Sequence, residues 1–325
     1  MKLARRTFLH LAAGAAALPA VSGIARAQSY PSRPVRLIVG FPAGGQIDII
    51  ARLMAQWLSE RLGQQFFVDN RPGAASNIAA ETALRAPADG HTLFLANGTN
   101  AVNATLFDKL NFDFVRDTVA VASINRIPIV LAVHLSFPAK TVPELIAYAK
   151  TNPGKLNVAT APKGTAPYMA AELFKAMASV DMTLVPYRGD APALTDVLGG
   201  QVAASFGGIS AWIETIRAGK LRALAVASAA RLEMLPDIPT IADTVPGYEA
   251  SGWGGIVAPK DIPKEIVDKL NGEINAALAD AKFRARLVDL GVTVFASSPA
   301  EFAKHIADET EKWAKVIRAA NIKVD

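Results

Sequence analysis

The feature that most constrains this chain is the run Val35 to Phe41, almost wholly apolar and rich in branched side chains, which breaks at once into a Gly/Pro turn. So short and apolar a run marks a strand buried on both faces of a sheet, as parallel strands are. Beyond the turn, Ile47, Ile50, Met54, Leu58 and Leu62 recur at helical spacing, while Arg52, Gln56, Glu60 and Arg61 occupy the rest of the cylinder. Gly63 lies just past the last apolar position, where a helix stops. This strand, loop and helix unit recurs. Strands are expected over His91 to Ala96, Ala120 to Ile124, Ile129 to Val133, Leu156 to Thr160, Leu184 to Tyr187, Val202 to Phe206 and Leu221 to Ala227. Helices are expected over Val142 to Lys150, Tyr168 to Ala178, Ala191 to Leu198, Lys264 to Leu278 and Pro299 to Ala319. Pro143, Pro192 and Pro299 sit at helix starts, where a missing N–H costs nothing. Such alternation predicts an α/β fold with mostly parallel sheets flanked by helices.

The first residues bear on the compartment. Arg5 and Arg6 precede an apolar run, Leu9 to Leu18, which leads to Ala25-Arg26-Ala27. That order reads as an export signal cleaved before Gln28, of the twin-arginine type, although a general secretory signal is built alike. The run is shorter than the roughly 20 apolar residues that a bilayer core demands. Removing residues 1 to 27 takes away Lys2, Arg5, Arg6 and Arg26 and no acid, so Lys+Arg falls from 34 to 30 against 29 Asp+Glu. A mature chain so close to neutral has no electrostatic case for nucleic acid or an anionic membrane surface. The absence of cysteine excludes disulfides, thiolate nucleophiles and thiolate metal sites together. Stability must come from packing, and a chain of this length with an apolar fraction of 51% is ample for two cores.

Two loops carry the informative chemistry. Phe41-Pro42-Ala43-Gly44-Gly45-Gln46-Ile47-Asp48 joins the first strand to its helix. Its small residues admit a ligand to the main chain, and the helix that follows aims unpaired N–H groups and a positive dipole end at it. A carboxylate or other anion is the natural guest, although a tight strand-to-helix turn would also call for glycine. The glycine spacing is that of neither a P-loop nor a dinucleotide fingerprint. Asp48 suits the dipole but repels a carboxylate. The second loop, Thr160-Ala161-Pro162-Lys163-Gly164-Thr165-Ala166-Pro167-Tyr168, also runs from a strand into a helix. Its hydroxyls, backbone donors and Lys163 suit the other end of an anionic ligand. Lys163 reads equally as a solvated loop charge and Tyr168 as the first core residue of its helix. Asn97, Arg188 and the pair Gly207-Gly208, at or near the ends of other strands, complete the candidate set. Arginine serves surface salt bridges as often as ligands, and the glycine pair can simply turn the chain. One loop in each half of the chain suits a cleft between domains.

Catalytic constellations are missing: there is no Gly-x-Ser-x-Gly elbow and no His-Glu-x-x-His, and His91, His134 and His305 are scattered. No metal site or cofactor is expected.

Several separated segments resemble one family, the extracytoplasmic solute-binding receptors of tripartite tricarboxylate transporters, also called Bug-type receptors. Tyr30-Pro31-Ser32-Arg33-Pro34 leads into Phe41-Pro42-Ala43-Gly44-Gly45 with Asp48, then Asp69-Asn70-Arg71-Pro72-Gly73-Ala74 and Asp89-Gly90. Val185-Pro186-Tyr187-Arg188-Gly189, Ala218-Gly219-Lys220-Leu221-Arg222, Leu235-Pro236-Asp237-Ile238-Pro239-Thr240 and Pro246-Gly247-Tyr248 follow in order. The resemblance implies a periplasmic, non-enzymatic binding protein of type II-like architecture, with a ligand cleft between two domains. It places residues 28–127 and 250–325 in the first domain and 128–249 in the second, with hinges near Arg126 to Ile129 and Tyr248 to Trp253. It implies a carboxylated ligand held by the two loops through backbone groups and bridging waters, permease subunits in the membrane as partners, and a monomer.

Departures from the family bear on the ligand. Gln46 stands where a small hydroxyl residue is common, Pro162, Lys163, Ala166, Pro167 and Tyr168 where relatives carry glycine, asparagine, hydroxyls and histidine, and Gly207-Gly208 where an Asp-Asn pair is common. Losing an acid and gaining a lysine and a tyrosine favours a dicarboxylate or aromatic carboxylate over an amino acid. Two rivals keep the same cleft: a sensory receptor that presents ligand to a membrane kinase, and a periplasmic hydrolase, which turnover would reveal.

Overall fold

The computed structural model describes residues 30–323, so the export segment read at residues 1 to 27 lies outside the described residues. In chain order the elements are β1 (Val35–Val39), α1 (Gln46–Leu62), β2 (Phe66–Asn70), α2 (Asn77–Leu84), β3 (Thr92–Asn97), α3 (Gly98–Leu106), β4 (Thr118–Ile127), β5 (Ile129–His134), α4 (Val142–Thr151), β6 (Asn157–Thr160) and α5 (Ala166–Ala178). They continue with β7 (Thr183–Pro186), α6 (Asp190–Leu198), β8 (Ala204–Gly208), α7 (Ile209–Arg217), β9 (Leu221–Val226), β10 (Gly252–Pro259), α8 (Lys264–Ala279), α9 (Ala281–Asp289), β11 (Thr293–Val294) and α10 (Pro299–Ala319). One sheet runs β11-β4-β10-β3-β1-β2 and the other β7-β6-β8-β5-β9.

Both sheets are mixed, where the alternation alone predicted mostly parallel ones. β10 is antiparallel to β3 and β4, and β5 is antiparallel to β8 and β9. The cause is the crossing. Only Pro128 separates β4 from β5. A strand that leaves one lobe pointing toward the other enters the second lobe pointing away from the gap, against its neighbours there. β9 and β10 repeat the reversal on the return. The remaining strands of each lobe therefore aim their C-terminal ends at the facing lobe, and in open α/β sheets ligands bind at such ends.

The helices cover the sheets as their spacing dictates. Ile50, Met54 and Leu58 of α1 are fully buried against Leu37, Leu93 and Ile256, and each such side chain contributes about 1.5–3 kcal/mol. The long helix α10 serves both lobes. Phe302 and Ile306, in its first half, join Phe94 and Trp253 over the first sheet, whereas Trp313, Val316 and Ile317 join Met169, Phe174 and Tyr248 under the second. β10 escaped the sequence reading because its glycines hide a strand whose eight residues are all buried. A Cβ at Gly255 would stand 2.3 Å from the ring of Phe302, so close helix packing requires that glycine.

Candidate ligand-binding site

Loop 41–45 is held rigid by an acid that reaches back from α1. Asp48 is 2% exposed and accepts hydrogen bonds from the Gly44 N–H at 2.8 Å, Arg52 Nε at 2.9 Å and Asn70 Nδ2 at 2.9 Å. Asn70 also donates to the Phe41 carbonyl at 3.0 Å. Burial by itself would raise the Asp48 pKa, but the bonds from Arg52, Gly44 and Asn70 outweigh it and hold the carboxyl below its ordinary value. The ambiguity over Asp48 is thereby resolved: its carboxylate is spent on fixing the loop, and Arg52 offsets the charge. Pro42, Ala43, Gly44 and Gly45 stay exposed along the loop.

Four helices that follow strands lack side-chain caps, whereas α3 is capped by Asn97 at the end of β3. α1 begins after Gly45, α5 after Thr165, α6 after Gly189 and α7 after Gly208, all without a side-chain cap bond. The Thr165 hydroxyl turns away to donate to the Pro162 carbonyl at 2.6 Å. By contrast, Thr141, Asp280 and Ser298 cap α4, α9 and α10; α8, which follows Pro263, is also uncapped. Unpaired first-turn N–H groups together with the helix dipole form an anion-binding surface.

Three buried side-chain donors lack partners. Asn97 ends β3 and is 6% exposed; its Oδ1 accepts the Thr99 N–H at 2.9 Å and its Nδ2 has no partner. Thr160 ends β6 and is wholly buried, with its hydroxyl unpartnered. Trp253 lies beside Gly98 with its indole Nε1 likewise unsatisfied. A buried polar group left unpaired costs about 1–3 kcal/mol, and two of these three sit at strand ends, one in each sheet.

The lobes meet around this region. Gln46 Nε2 donates to the Leu290 carbonyl at 2.7 Å and lies 3.5 Å from Ser210 Oγ on the far lobe, so the amide expected to meet ligand is engaged across the gap. Gly164 packs against Leu106, where a Cβ would come within 2.8 Å. Outside that contact is a cavity of about 370 Å³ between Ala75 and Phe107 of one lobe and Pro162, Lys163, Tyr187 and Arg188 of the other. Arg188 is exposed there and has no ion pair among the described residues. Ala161 and Ala166 are half-buried on the same loop as Lys163.

Three sequence candidates make contacts within the chain. A Cβ on Gly207 would lie 2.1 Å from the indole of Trp212, so that glycine admits a tryptophan of its own chain. Gly208 donates its N–H to Asp190 Oδ1 at 3.1 Å, which also accepts from Trp212 Nε1 at 3.1 Å. Tyr168 is 7% exposed and belongs to the core of the second lobe, the alternative that its helix register had left open. The three histidines among the described residues do not converge. His91 lies edge-on to Tyr30, His134 bonds Ser136, and His305 is packed between Trp253 and Phe295.

One element of the site was not read from sequence. Ala74, Ala75 and Ser76 take φ values of 45°, 50° and 74°, three consecutive left-handed residues, none a glycine. Each costs roughly 1–2 kcal/mol. The turn is held from α3, where Asn103 Nδ2 donates to the Ala75 carbonyl at 2.7 Å and Asn100 Nδ2 approaches Ser76 Oγ at 3.4 Å. Two buried asparagines at helical spacing were the available signal.

Comparison with known proteins places this architecture. The family model for the tripartite tricarboxylate transporter family receptor matches residues 50–322. The chain is 38% identical to Rpa4515 of R. palustris, determined with adipate, over 90% of this chain and 99% of that one, with a TM-score of 0.76. It is 33% identical to MatC of Rhodopseudomonas palustris with bound malate, over 89% and 100%, with a TM-score of 0.72. To the periplasmic binding protein BugD it is 31% identical over 90% and 99%, again with a TM-score of 0.72.

Proposed function

This chain belongs to the tripartite tricarboxylate transporter receptor family and is a periplasmic solute-binding receptor rather than an enzyme, and we propose that its cleft captures a small dicarboxylate or aromatic carboxylate for the permease subunits of such a transporter. What supports the reading is that each lobe carries an uncapped helix N-terminus, α1 in one and α5 in the other, and an unpartnered side-chain donor at a strand end, the Asn97 amide and the Thr160 hydroxyl. Each is a hydrogen-bond donor with no acceptor, and a carboxylate supplies acceptors only. The backbone of 44–47 and 164–166 would line the guest together with those two side chains. Relatives with adipate and with malate add support, since both compounds carry two carboxylates.

In this reading residues 28–127 and 250–325 form one body and 128–249 the other, hinged at Pro128 and at Glu249 to Ser251. The permease recognises the closed form. Turning a mostly open population into a mostly closed one, 99:1 each way, takes about 5.5 kcal/mol of differential affinity.

A thermal-shift screen of the mature protein against aliphatic dicarboxylates, tricarboxylates, aromatic carboxylates and amino acids tests the proposal. Ligand at about 100 times its dissociation constant adds roughly 2.7 kcal/mol, which raises Tm by several degrees. Stabilisation by amino acids or amides alone, or by nothing in the panel, would refute it.

A further inference from the structure

Resting on the carboxylate-receptor reading, we propose that Asp190 determines specificity in this cleft: one of its oxygens accepts a hydroxyl carried on the spacer of a short dicarboxylate, and the same oxygen repels a third carboxylate in that place. The argument starts from position. Asp190 is the first residue of α6. Ala193 and Val197, one and two turns on, share a core with Ala159 of β6, and α6 packs on β6 and β8. Asp190 continues that face of the helix past Ala159, level with the strand end where the Thr160 hydroxyl is buried without a partner. Gly208, at the end of the neighbouring β8, donates its N–H to Asp190 Oδ1. Gly208 leads straight into α7, whose Ser210 Oγ lies 3.5 Å from Gln46 Nε2 at the start of α1. The carboxylate is thereby set at the gap between the two lobes, beside the end of β6.

Its two oxygens differ. Oδ1 is occupied by the Gly208 N–H and by Trp212 Nε1, each at 3.1 Å. Oδ2 has no hydrogen bond or ion pair among the described residues, and a Cβ on Gly208 would lie 3.4 Å from it, so glycine leaves that side of the oxygen open. The starts of α6 and α7 favour a negative charge at this point. The other polar groups at these strand ends, the Asn97 amide and the Thr160 hydroxyl, are donors suited to the ligand's own carboxylates. A carboxylate oxygen in their midst only accepts, and so matches a donor on the ligand. A hydroxyl brings one donor, and its lone pairs accept from the neighbouring donors. An ammonium brings three, of which a single open oxygen satisfies one, leaving two N–H groups against other donors. A further carboxylate brings no donor and meets like charge. One attraction and one repulsion at the same atom give discrimination in both directions.

Asp190→Asn is the discriminating variant. Its amide oxygen keeps both bonds made at Oδ1, while Nδ2 replaces the open oxygen, so an acceptor becomes a donor and the charge is removed. Unchanged thermal midpoint and tryptophan emission without ligand would verify that Trp212 stays in place. Calorimetry is run on wild type and variant with succinate, malate, aspartate and tricarballylate, which differ in what one carbon of the spacer carries: hydrogen, hydroxyl, ammonium or a carboxymethyl group. Wild type is expected to bind malate about tenfold more tightly than succinate, and tricarballylate at least about tenfold more weakly than succinate. In the variant both are expected to come within about threefold of succinate. Ratios that survive the substitution, or an equal loss of all four ligands, would overturn the role of Asp190. Wild-type binding of succinate or aspartate as tight as that of malate would overturn hydroxyl selection without any variant, and so decides the matter even if Asp190→Asn folds poorly. Failure of wild type to bind any of the four would remove this inference while leaving the carboxylate reading to larger and aromatic acids.

Discussion

Arg126 and Glu249 join the two crossing segments directly: the guanidinium Nη1 donates to the carboxylate at 3.1 Å and its carbon sits 4.0 Å from the ring centroid of Phe295. Arg126 lies at the end of the outgoing strand and Glu249 precedes the returning one, so the pair ties the two connections between lobes to each other. Lys312 of α10 adds a bond to the Glu249 carbonyl at 3.4 Å.

The two halves of this contact differ in strength. The ion pair is partly exposed on both sides, 30% and 42%, and Glu249→Gln is expected to cost under about 1 kcal/mol, with a smaller effect in high salt. Arg126→Ala also removes the cation from Phe295 and the packed stem of the side chain, for a total of about 1–3 kcal/mol. Urea midpoints at low and high salt separate the two. Equal costs for both variants would mean that the ring contact contributes nothing.

His305 makes the same region sensitive to acid. Burial first, then the charges of Arg126 and Lys312, depress its pKa from 6.5 to about 4, with Glu249 and Asp308 opposing weakly. The folded state therefore favours the neutral ring. Its contribution is fully present above the unfolded value near 6.5 and is lost as pH falls toward about 4, on the order of 2–3 kcal/mol in all. Replacing the ring by Leu is expected to flatten the fall of Tm between pH 6.5 and 4. A variant whose Tm falls as steeply as that of wild type would assign the acid sensitivity to other groups.

Gly207 tests packing against ligand access. Because its missing Cβ leaves room for the Trp212 indole, Gly207→Ala is expected to destabilise by about 1–3 kcal/mol and to shift tryptophan emission in the absence of any ligand. At Gly44 an added Cβ would meet nothing within 4 Å, but the residue takes φ +84°, so Gly44→Ala should cost about 1 kcal/mol through backbone strain alone. An unaltered emission spectrum in Gly207→Ala would show that the indole does not occupy that space.

These glycines explain why the sequence was only partly legible. Strand and helix periods are local, and the helix expected over Pro299 to Ala319 has those bounds in the structure, because Ser298 with Glu301 caps it and its apolar face is regular. The directions of β5 and β10 are not local; they follow from which lobe the chain has just left. The left-handed turn at Ala74 to Ser76 is likewise imposed from a distance, by Asn100 and Asn103, and alanine signals no positive φ. Glycine is ambiguous in the other direction. At Gly44 it permits a loop conformation and at Gly207 it makes room for a tryptophan, and the one-dimensional pattern of the two is the same.

Thr160 separates stability from binding most sharply. Its hydroxyl is buried without a partner, so in the free protein it carries a desolvation penalty with no hydrogen bond in return. Thr160→Val keeps the branched shape, and the β-branch suits the strand end. Removing an unsatisfied buried hydroxyl is expected to leave stability unchanged or to raise it by up to about 1 kcal/mol. In the proposed carboxylate reading the same substitution takes away a donor from the ligand, which costs about 1.5–3 kcal/mol when the acceptor is charged, a loss of roughly tenfold or more in affinity. The variant should therefore unfold at an equal or higher urea concentration without ligand and yet gain less Tm than wild type from a dicarboxylate. A variant that loses stability and keeps its affinity would place the hydroxyl in the core, and the inner half of the site would have to be sought elsewhere.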